Sequence, residues 1–177
     1  STGSGVGWED ASGGGGITYK SEGTNFANSL IIGHDTTGTL STATYNTAVG
    51  LDALSAITTG DHNVAMGSGA MDALTEGYQS VGIGYNALGK MTTNGQNVAI
   101  GYCSLREMTG AYYGNTGVGF LAGYNIGSGS GNVCIGNETT CGDTYWNTYV
   151  GCFAGHYLNT GGENVFVGVH AGSAATD

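Results

Sequence analysis

From Ser29 onward the chain alternates a short apolar triplet with a longer stretch of small and polar residues, and the triplet returns at a nearly fixed interval. The glycine that closes it falls at Gly33, Gly50, Gly67, Gly84, Gly101, Gly119, Gly136, Gly151 and Gly168, at spacings of 17, 17, 17, 17, 18, 17, 15 and 17 residues. Nine units therefore open at Ser29, Asn46, Asn63, Ser80, Asn97, Asn115, Asn132, Asn147 and Asn164. Counting the opening residue as position 1, position 2 reads Leu30, Thr47, Val64, Val81, Val98, Thr116, Val133, Thr148, Val165. Position 4 reads Ile32, Val49, Met66, Ile83, Ile100, Val118, Ile135, Val150, Val167. Both are strand formers, and period-two alternation puts them on one face, which we assign to the core. Position 3 then looks the other way, and it is mostly small and never charged (Ile31, Ala48, Ala65, Gly82, Ala99, Gly117, Cys134, Tyr149, Phe166). A solvated face would carry polar residues, so this reading gives position 3 to close packing against sister chains.

Position 8 is small throughout (Ala53, Ala70, Ala87), and position 12 is apolar in most units (Leu40, Ile57, Leu74, Met91, Met108, Ile126, Leu158), a second inward contact per unit. The "AL" and "AM" pairs followed by an apolar residue match one helical turn, but 17 residues leave little room for a strand, a helix and two turns. A coil of short strands is the preferred reading. So short a period predicts an all-β parallel β-solenoid or β-roll of about nine coils, stacked at ~4.8 Å into a rod of roughly 40 Å. The repeated glycine marks a corner where a Cβ would clash or φ is positive. The opening Asn46, Asn63, Asn97, Asn115, Asn132, Asn147 and Asn164 form a ladder of stacked amides, and Thr58, Thr75, Thr92 and Thr109 form a threonine column. Residues 1–28 read as a glycine-rich leader and an entry strand, residues 29–177 as the repeat domain, with irregular units over 97–146.

Composition narrows the function classes. The 177 residues hold 36 glycines, no proline and 9% charged residues, which disfavours a helical bundle. The three basic residues (Lys20, Lys90, Arg106) against 13 acidic ones give a net charge of −10, opposing the phosphate contacts that dominate nucleic-acid binding. No apolar run is long enough for membrane insertion by a helix, and no leader peptide is recognisable. The chain begins at Ser1 and ends just inside a repeat, as expected of a processed piece or fragment. Cys103, Cys134, Cys141 and Cys152 match no zinc spacing; buried thiols and a disulfide around Cys141 both remain open. A lone thin coil buries few apolar side chains against the cost of ordering a glycine-rich chain, so a homotrimer is expected.

The stretches "NTAVGLDALSAITTGDHNVAMGSGAMDALTEG" and "NVAIGYCSL" resemble the N-x-A-x-G-x-x-A-L-x-x-x-T-T-G repeats of phage tail-fibre proteins. They are also similar to the N-S-V-A-I-G repeats of YadA-like trimeric autotransporter adhesin heads. The resemblance covers about 29–173 and implies a left-handed, trimeric β-roll that reaches or presents a cell surface, on a virion or outside the cell. The 17-residue unit favours the tail-fibre form, and the 15-residue unit Asn132 to Trp146 departs from both.

Candidate chemistry is sparse. His34, His62, His156 and His170 occupy four different unit positions, so no catalytic histidine is expected. Asp35 and Asp52 share position 7 of adjacent units, a weak candidate pair for a metal or for retaining-glycosidase chemistry, but the next members of that column are Gly69 and Asn86. "GVGFLA" imitates a dinucleotide loop without its strand-and-helix context, and "NET" at Asn137 matters only in a glycosylating secretory pathway. No cofactor is implied, and the expectation is a non-enzyme. Aromatic residues gather from Asn97 onward, where unit lengths become irregular. Tyr112, Tyr113, Tyr124, Tyr145, Trp146 and Tyr157 are the candidates for contact with a cell-surface glycan or receptor, whereas Tyr149 and Phe166 can simply fill the core. An adhesive fibre segment is the first reading. An ice-binding solenoid, which needs two threonine ranks, and a self-assembling filament are the alternatives.

Overall fold

The computed structural model describes residues 17–20, 29–33, 41–93, 95–109, 113–158 and 161–173. The chain is all-β, a single ten-stranded sheet in sequence order with nine parallel strands and no helix among the described residues. Strand β1 (Ile17–Lys20) pairs antiparallel with β2 (Ser29–Ile32). Each later unit then adds one three-residue strand: β3 (Thr47–Val49), β4 (Val64–Met66), β5 (Val81–Ile83), β6 (Val98–Ile100), β7 (Thr116–Val118), β8 (Val133–Ile135), β9 (Thr148–Val150) and β10 (Val165–Val167). Every parallel pair stacks like positions on like, for example Val98 on Val81 and Ile100 on Ile83. Columns in the sequence alignment are therefore columns in space, and the fold is a β-solenoid.

Inside and outside are reversed relative to the expectation from hydrophobicity. Position 3 faces the core: Ala48, Ala65, Ala99 and Cys134 are fully buried and Tyr149 nearly so. Positions 2 and 4 face outward, half-buried in mid-rod, with Met66 41% and Ile100 39% exposed. The cause is the volume of the lumen. Position 9 sends a second side chain into the same narrow space, and Leu54, Met71, Leu88 and Leu105 are completely buried there. With position 8 (Ala53, Ala70, Ala87) and position 12 (Ile57, Leu74, Met91, Met108, Ile126) also buried, position 3 has room for little more than a methyl group. A Cβ added to Gly82 would lie 2.9 Å from the Met71 side chain of the preceding coil, and one added to Gly117 would lie 2.7 Å from Leu105.

The rule also runs in the other direction. Where position 3 is aromatic, position 9 is glycine: a Cβ at Gly155 would sit 2.3 Å from the Tyr149 ring, and one at Gly172 would sit 2.5 Å from the Phe166 ring. The two rings meet at 4.9 Å. Tyr149 and Phe166 thus fill the core, as close packing requires, and in the Asn115–Gly131 coil, where Gly117 and Gly123 hold both positions, Leu105 and the Cys134 sulfur of the neighbouring coils take up the space.

Each coil holds one strand rather than several. After the corner glycine, positions 7 and 9 take left-handed backbone (Asp52 φ 59, Leu54 φ 55; Asn86 φ 49, Leu88 φ 53), which a right-handed helix cannot contain. The "AL" pairs are therefore turns. Each such residue costs on the order of 1 kcal/mol, and burying the Leu or Met so placed returns roughly 1.5 to 3 kcal/mol. Hydrogen bonding between coils continues around these turns, from Leu54 N–H to Ala70 O (3.1 Å) and from Thr58 N–H to Thr75 O (3.0 Å).

Two ladders fix the stacking. Asn63 donates through both its backbone N–H (2.9 Å) and its Nδ2 (3.1 Å) to Asn46 Oδ1, and its Nδ2 also reaches Gly77 O (2.8 Å). The pattern recurs for Asn115 on Asn97, Asn132 on Asn115, Asn147 on Asn132 and Asn164 on Asn147. At Ser80 the ladder thins, with the hydroxyl accepting from Asn97 N–H at 3.3 Å. The corner glycines have φ between 116° and 139°, and a Cβ at Gly101 would lie 2.2 Å from Gly119 O of the next coil. Both reasons anticipated for this column, clash and positive φ, apply.

Candidate functional site

Three exposed aromatic features stand on this frame. The longest is at position 6, where Tyr85, Tyr102 and Phe120 stack on successive coils with centroids 5.2 and 5.3 Å apart and planes within 17°. Each is about half exposed. Beside them Asn86, Cys103, Arg106, Leu121 and Tyr124 line a shallow groove of ≈ 380 Å³. Arg106 donates to Glu107 Oε1 (2.5 Å) and to the Tyr124 hydroxyl (3.3 Å), and Lys90 donates to Glu107 Oε2. Hydrogen bonding by Lys90 holds the Glu107 carboxyl below the usual glutamate range. Burial pushes the Cys103 thiol up, so it is protonated at neutral pH and a poor nucleophile.

The second feature lies on the short coil Asn132 to Trp146. Here Cys134 and Cys141 form a disulfide across the lumen, with Cα atoms 6.4 Å apart, whereas Cys103 and Cys152 are free. Both readings open from sequence are found, a disulfide at Cys141 and free thiols at Cys103, which is buried, and Cys152, which is half-buried. Thr144 Oγ1 donates to Cys141 O (2.6 Å) and accepts from Asn147 Nδ2 (2.5 Å), and Thr144 O accepts from Asn132 Nδ2 (2.7 Å). The next two residues, Tyr145 and Trp146, are 45% and 66% exposed and line a groove of ≈ 310 Å³ with Gly162 and Glu163. Trp146 takes positive φ (57°) and its N–H bonds Ser130 O (2.9 Å), which anchors the backbone beneath the ring.

The third feature is a cluster at the upper coils. Phe153 stacks on His170 at 5.1 Å, and His156 meets Phe153 and Tyr157 edge-on at 5.2 and 4.0 Å.

Of the sequence candidates, Tyr145 and Trp146 share one groove, while the others are dispersed. Tyr124 belongs with Arg106, Tyr157 with His156, and Tyr113 lies 6.3 Å from Tyr78. Tyr112 lies outside the described residues, as do Asp35 and His34, so the Asp35–Asp52 pair is seen only through Asp52. His62 stacks on Tyr45 at 4.8 Å. No cluster of three His, Cys, Asp or Glu side chains able to hold a metal occurs among the described residues. The sequence reading missed the position-6 stack and Glu163. Reading column 6 as it read columns 2 to 4 exposes "Tyr, Tyr, Phe" at once.

Compared with protein-family models, with curated proteins and with solved structures, the chain finds no match.

Proposed function

We propose that this chain is a segment of a structural and adhesive fibre, of the phage tail-fibre or bacterial surface-adhesin kind, and that it works as a homotrimer. The observation that carries the reading is the outward face of the sheet. Positions 2 and 4 carry no charge in any of the nine units, although the chain as a whole is at −10. Over nine strands at ~4.8 Å the face measures roughly 40 Å by 10 Å, comparable to the largest apolar patch a typical monomer exposes, about 300 to 600 Å². Beyond the corner it continues into Leu51, Tyr85, Tyr102 and Phe120, each 46% to 60% exposed. A face of this length on a rod is suited to lateral packing of parallel copies in register, and no acidic residue of the nine units stands at positions 2, 4 or 6. The intracoil disulfide agrees with an oxidising location such as a virion or the cell exterior.

The test is the oligomeric state. Light scattering of the purified chain is expected to give three times the chain mass, and the double variant Ile83→Glu, Ile100→Glu is expected to give one chain mass with an unchanged far-UV spectrum. A monodisperse wild-type monomer overturns the proposal. An ice-ordering role has less support, because the threonine column spends its hydroxyls internally: Thr58 and Thr75 Oγ1 donate to the carbonyls of Thr75 and Thr92 at 3.0 Å each.

A further inference from the structure

We infer that the groove formed by Tyr145, Trp146 and Glu163 is a binding site for an uncharged pyranose sugar. The inference deepens the adhesive reading above and rests on it. Its starting point is the way small residues clear the two rings. The last two positions of three successive coils read Ser130–Gly131, Tyr145–Trp146 and Gly162–Glu163. Below, Gly131 leaves room for the indole: a Cβ there would meet Trp146 Cδ1 at 2.3 Å. Above, a Cβ on Gly162 would meet Tyr145 O at 2.7 Å, so the coil passes close over the tyrosine backbone and adds no side chain of its own. Trp146 pairs with no other ring among the described residues, although Tyr45, Tyr85, Tyr102, Phe120 and Phe153 each stack on an aromatic or imidazole ring. The most exposed large ring beside the groove therefore keeps an open face.

The walls are also rigid. The Thr144 hydroxyl and carbonyl bind Cys141, Asn132 and Asn147, so the segment leading into Tyr145 is tied to the disulfide and to the asparagine ladder. Glu163 N–H bonds Tyr145 O at 3.0 Å and sets the third wall against the first. Pre-organised aromatic walls lower the ordering cost that a weakly held ligand otherwise meets.

Ligand class follows from the chemistry of the lining. Two flat rings offer apolar surface for the C–H face of a pyranose, and one carboxylate accepts hydrogen bonds from a pair of neighbouring hydroxyls. At ≈ 310 Å³ the groove is at the small end of ligand sites, enough for one or two sugar rings. An anionic sugar is disfavoured by Glu163 and by the net charge of −10. A quaternary ammonium ion suits a cage closed on several sides by aromatic faces, whereas among the described residues this groove has two aromatic walls.

The experiment uses the intact chain and fluorescent polyacrylamide polymers bearing galactose, glucose, mannose, N-acetylglucosamine, sialic acid or choline, with binding read by fluorescence anisotropy. At least one neutral-sugar polymer is expected to bind, more tightly than the sialic acid and choline polymers. Trp146→Ala and Tyr145→Ala are each expected to weaken it at least tenfold and Glu163→Gln severalfold, while Tyr45→Ala, an exposed ring far along the rod, leaves it unchanged. Far-UV spectra confirm that the variants fold, and Glu163→Gln changes one surface group only. Preference for sialic acid or choline, no binding of any neutral polymer, or unchanged binding by Trp146→Ala overturns the site. Failure here with a trimer intact removes the sugar site and leaves the fibre reading standing; a monomer that binds sugar does the reverse.

Discussion

The asparagine ladder makes the sharpest quantitative prediction, and Asn115 in mid-rod is the place to test it. Its Nδ2 donates to Gly129 O (2.8 Å) and Asn97 Oδ1 (3.3 Å), and its Oδ1 accepts from the backbone N–H (3.0 Å) and Nδ2 (3.2 Å) of Asn132. All of this is sealed from solvent, since Asn97, Asn115 and Asn132 are fully buried. Asn115→Ala removes the partner of the Asn132 backbone N–H and leaves the Asn132 amide with its bond to Thr144 O alone. It also takes the side-chain donor from Gly129 O. Stranded buried groups cost about 1 to 3 kcal/mol each, and two of them put the loss near 3 to 5 kcal/mol. Asn115→Ser keeps an acceptor, as Ser80 does for Asn97 at 3.3 Å, so about half of that loss is expected. Asn115→Asp is the worst of the three, because an ionised carboxylate faces the oxygens of Gly129 and Asn97 with no donor between them. Guanidinium unfolding followed by circular dichroism ranks the variants Ser, Ala, Asp in increasing damage, and hydrogen exchange at the Asn132 amide rises in the alanine variant. An alanine variant within about 1 kcal/mol of the parent, or an aspartate variant milder than alanine, refutes the ladder as a stabilising device.

Gly101→Ala places a Cβ 2.2 Å from Gly119 O at a φ of 132°, so we expect loss of soluble folded protein or more than about 4 kcal/mol of destabilisation, read by expression and unfolding midpoint. Tyr149→Ala empties the core by about 3 kcal/mol or more, and Gly155→Ala overpacks it. In the double variant the two losses are expected to fall short of their sum by at least about 1 kcal/mol, because the ring contact of the Cβ at 155 is gone and only its contact with Thr140 O (2.6 Å) is left; an additive cycle denies the exchange of volume between positions 3 and 9. Hydrogen bonding from Lys90 lowers the Glu107 pKa, so this pair stabilises the fold above the ordinary glutamate value and the gain is lost as pH falls through the lowered one. Being solvent-exposed, it is worth under about 1 kcal/mol; Lys90→Met should flatten that acid limb of the stability curve, and an unchanged curve refutes the assignment.

Period, strand positions, corner glycines and the asparagine ladder were legible because each is a repeating backbone demand that a column of identical residues records directly. The orientation of the sheet was not legible from the same columns. Ranking faces by hydrophobicity gives Val and Ile to the core, a sound rule when the interior is wide enough for them. In a 17-residue coil it is not, since the lumen is already filled from the opposite wall by Leu54, Met71, Leu88 and Leu105, whose inward aim depends on positive φ. That backbone state leaves no residue signature here: leucine and methionine are poor choices for it, and nothing in "DALSAI" announces it. The disulfide was undetermined for a similar reason, because Cys134 stands in an alanine column and only its meeting with Cys141 across the lumen distinguishes it.

The reversal changes what the outward residues imply. Small side chains at position 3 had been read as the footprint of a neighbour, and they are instead the footprint of position 9. The large side chains at positions 2 and 4 are then left facing out, uncharged in every unit, and burial of the core offers no reason for them. Intrinsic strand propensity accounts for β-branched residues there but is equally served by threonine, which appears at Thr47, Thr116 and Thr148. It does not explain why position 4 is Ile, Val or Met in all nine units. A rod needing solubility alone would place lysine or glutamate at some of these sites. The proposed trimer axis therefore belongs against positions 2 and 4, with Ile83 and Ile100 at its centre. The proposed sugar groove lies at the last two positions of its coils, directly before the Asn147 and Asn164 rungs that open β9 and β10. One asparagine ladder separates the two surfaces, so a substitution at Ile100 is expected to change chain mass without altering the Tyr145–Trp146 groove, and Trp146→Ala to weaken sugar binding without altering chain mass. Loss of both properties in either variant would mean that the two surfaces are not independent.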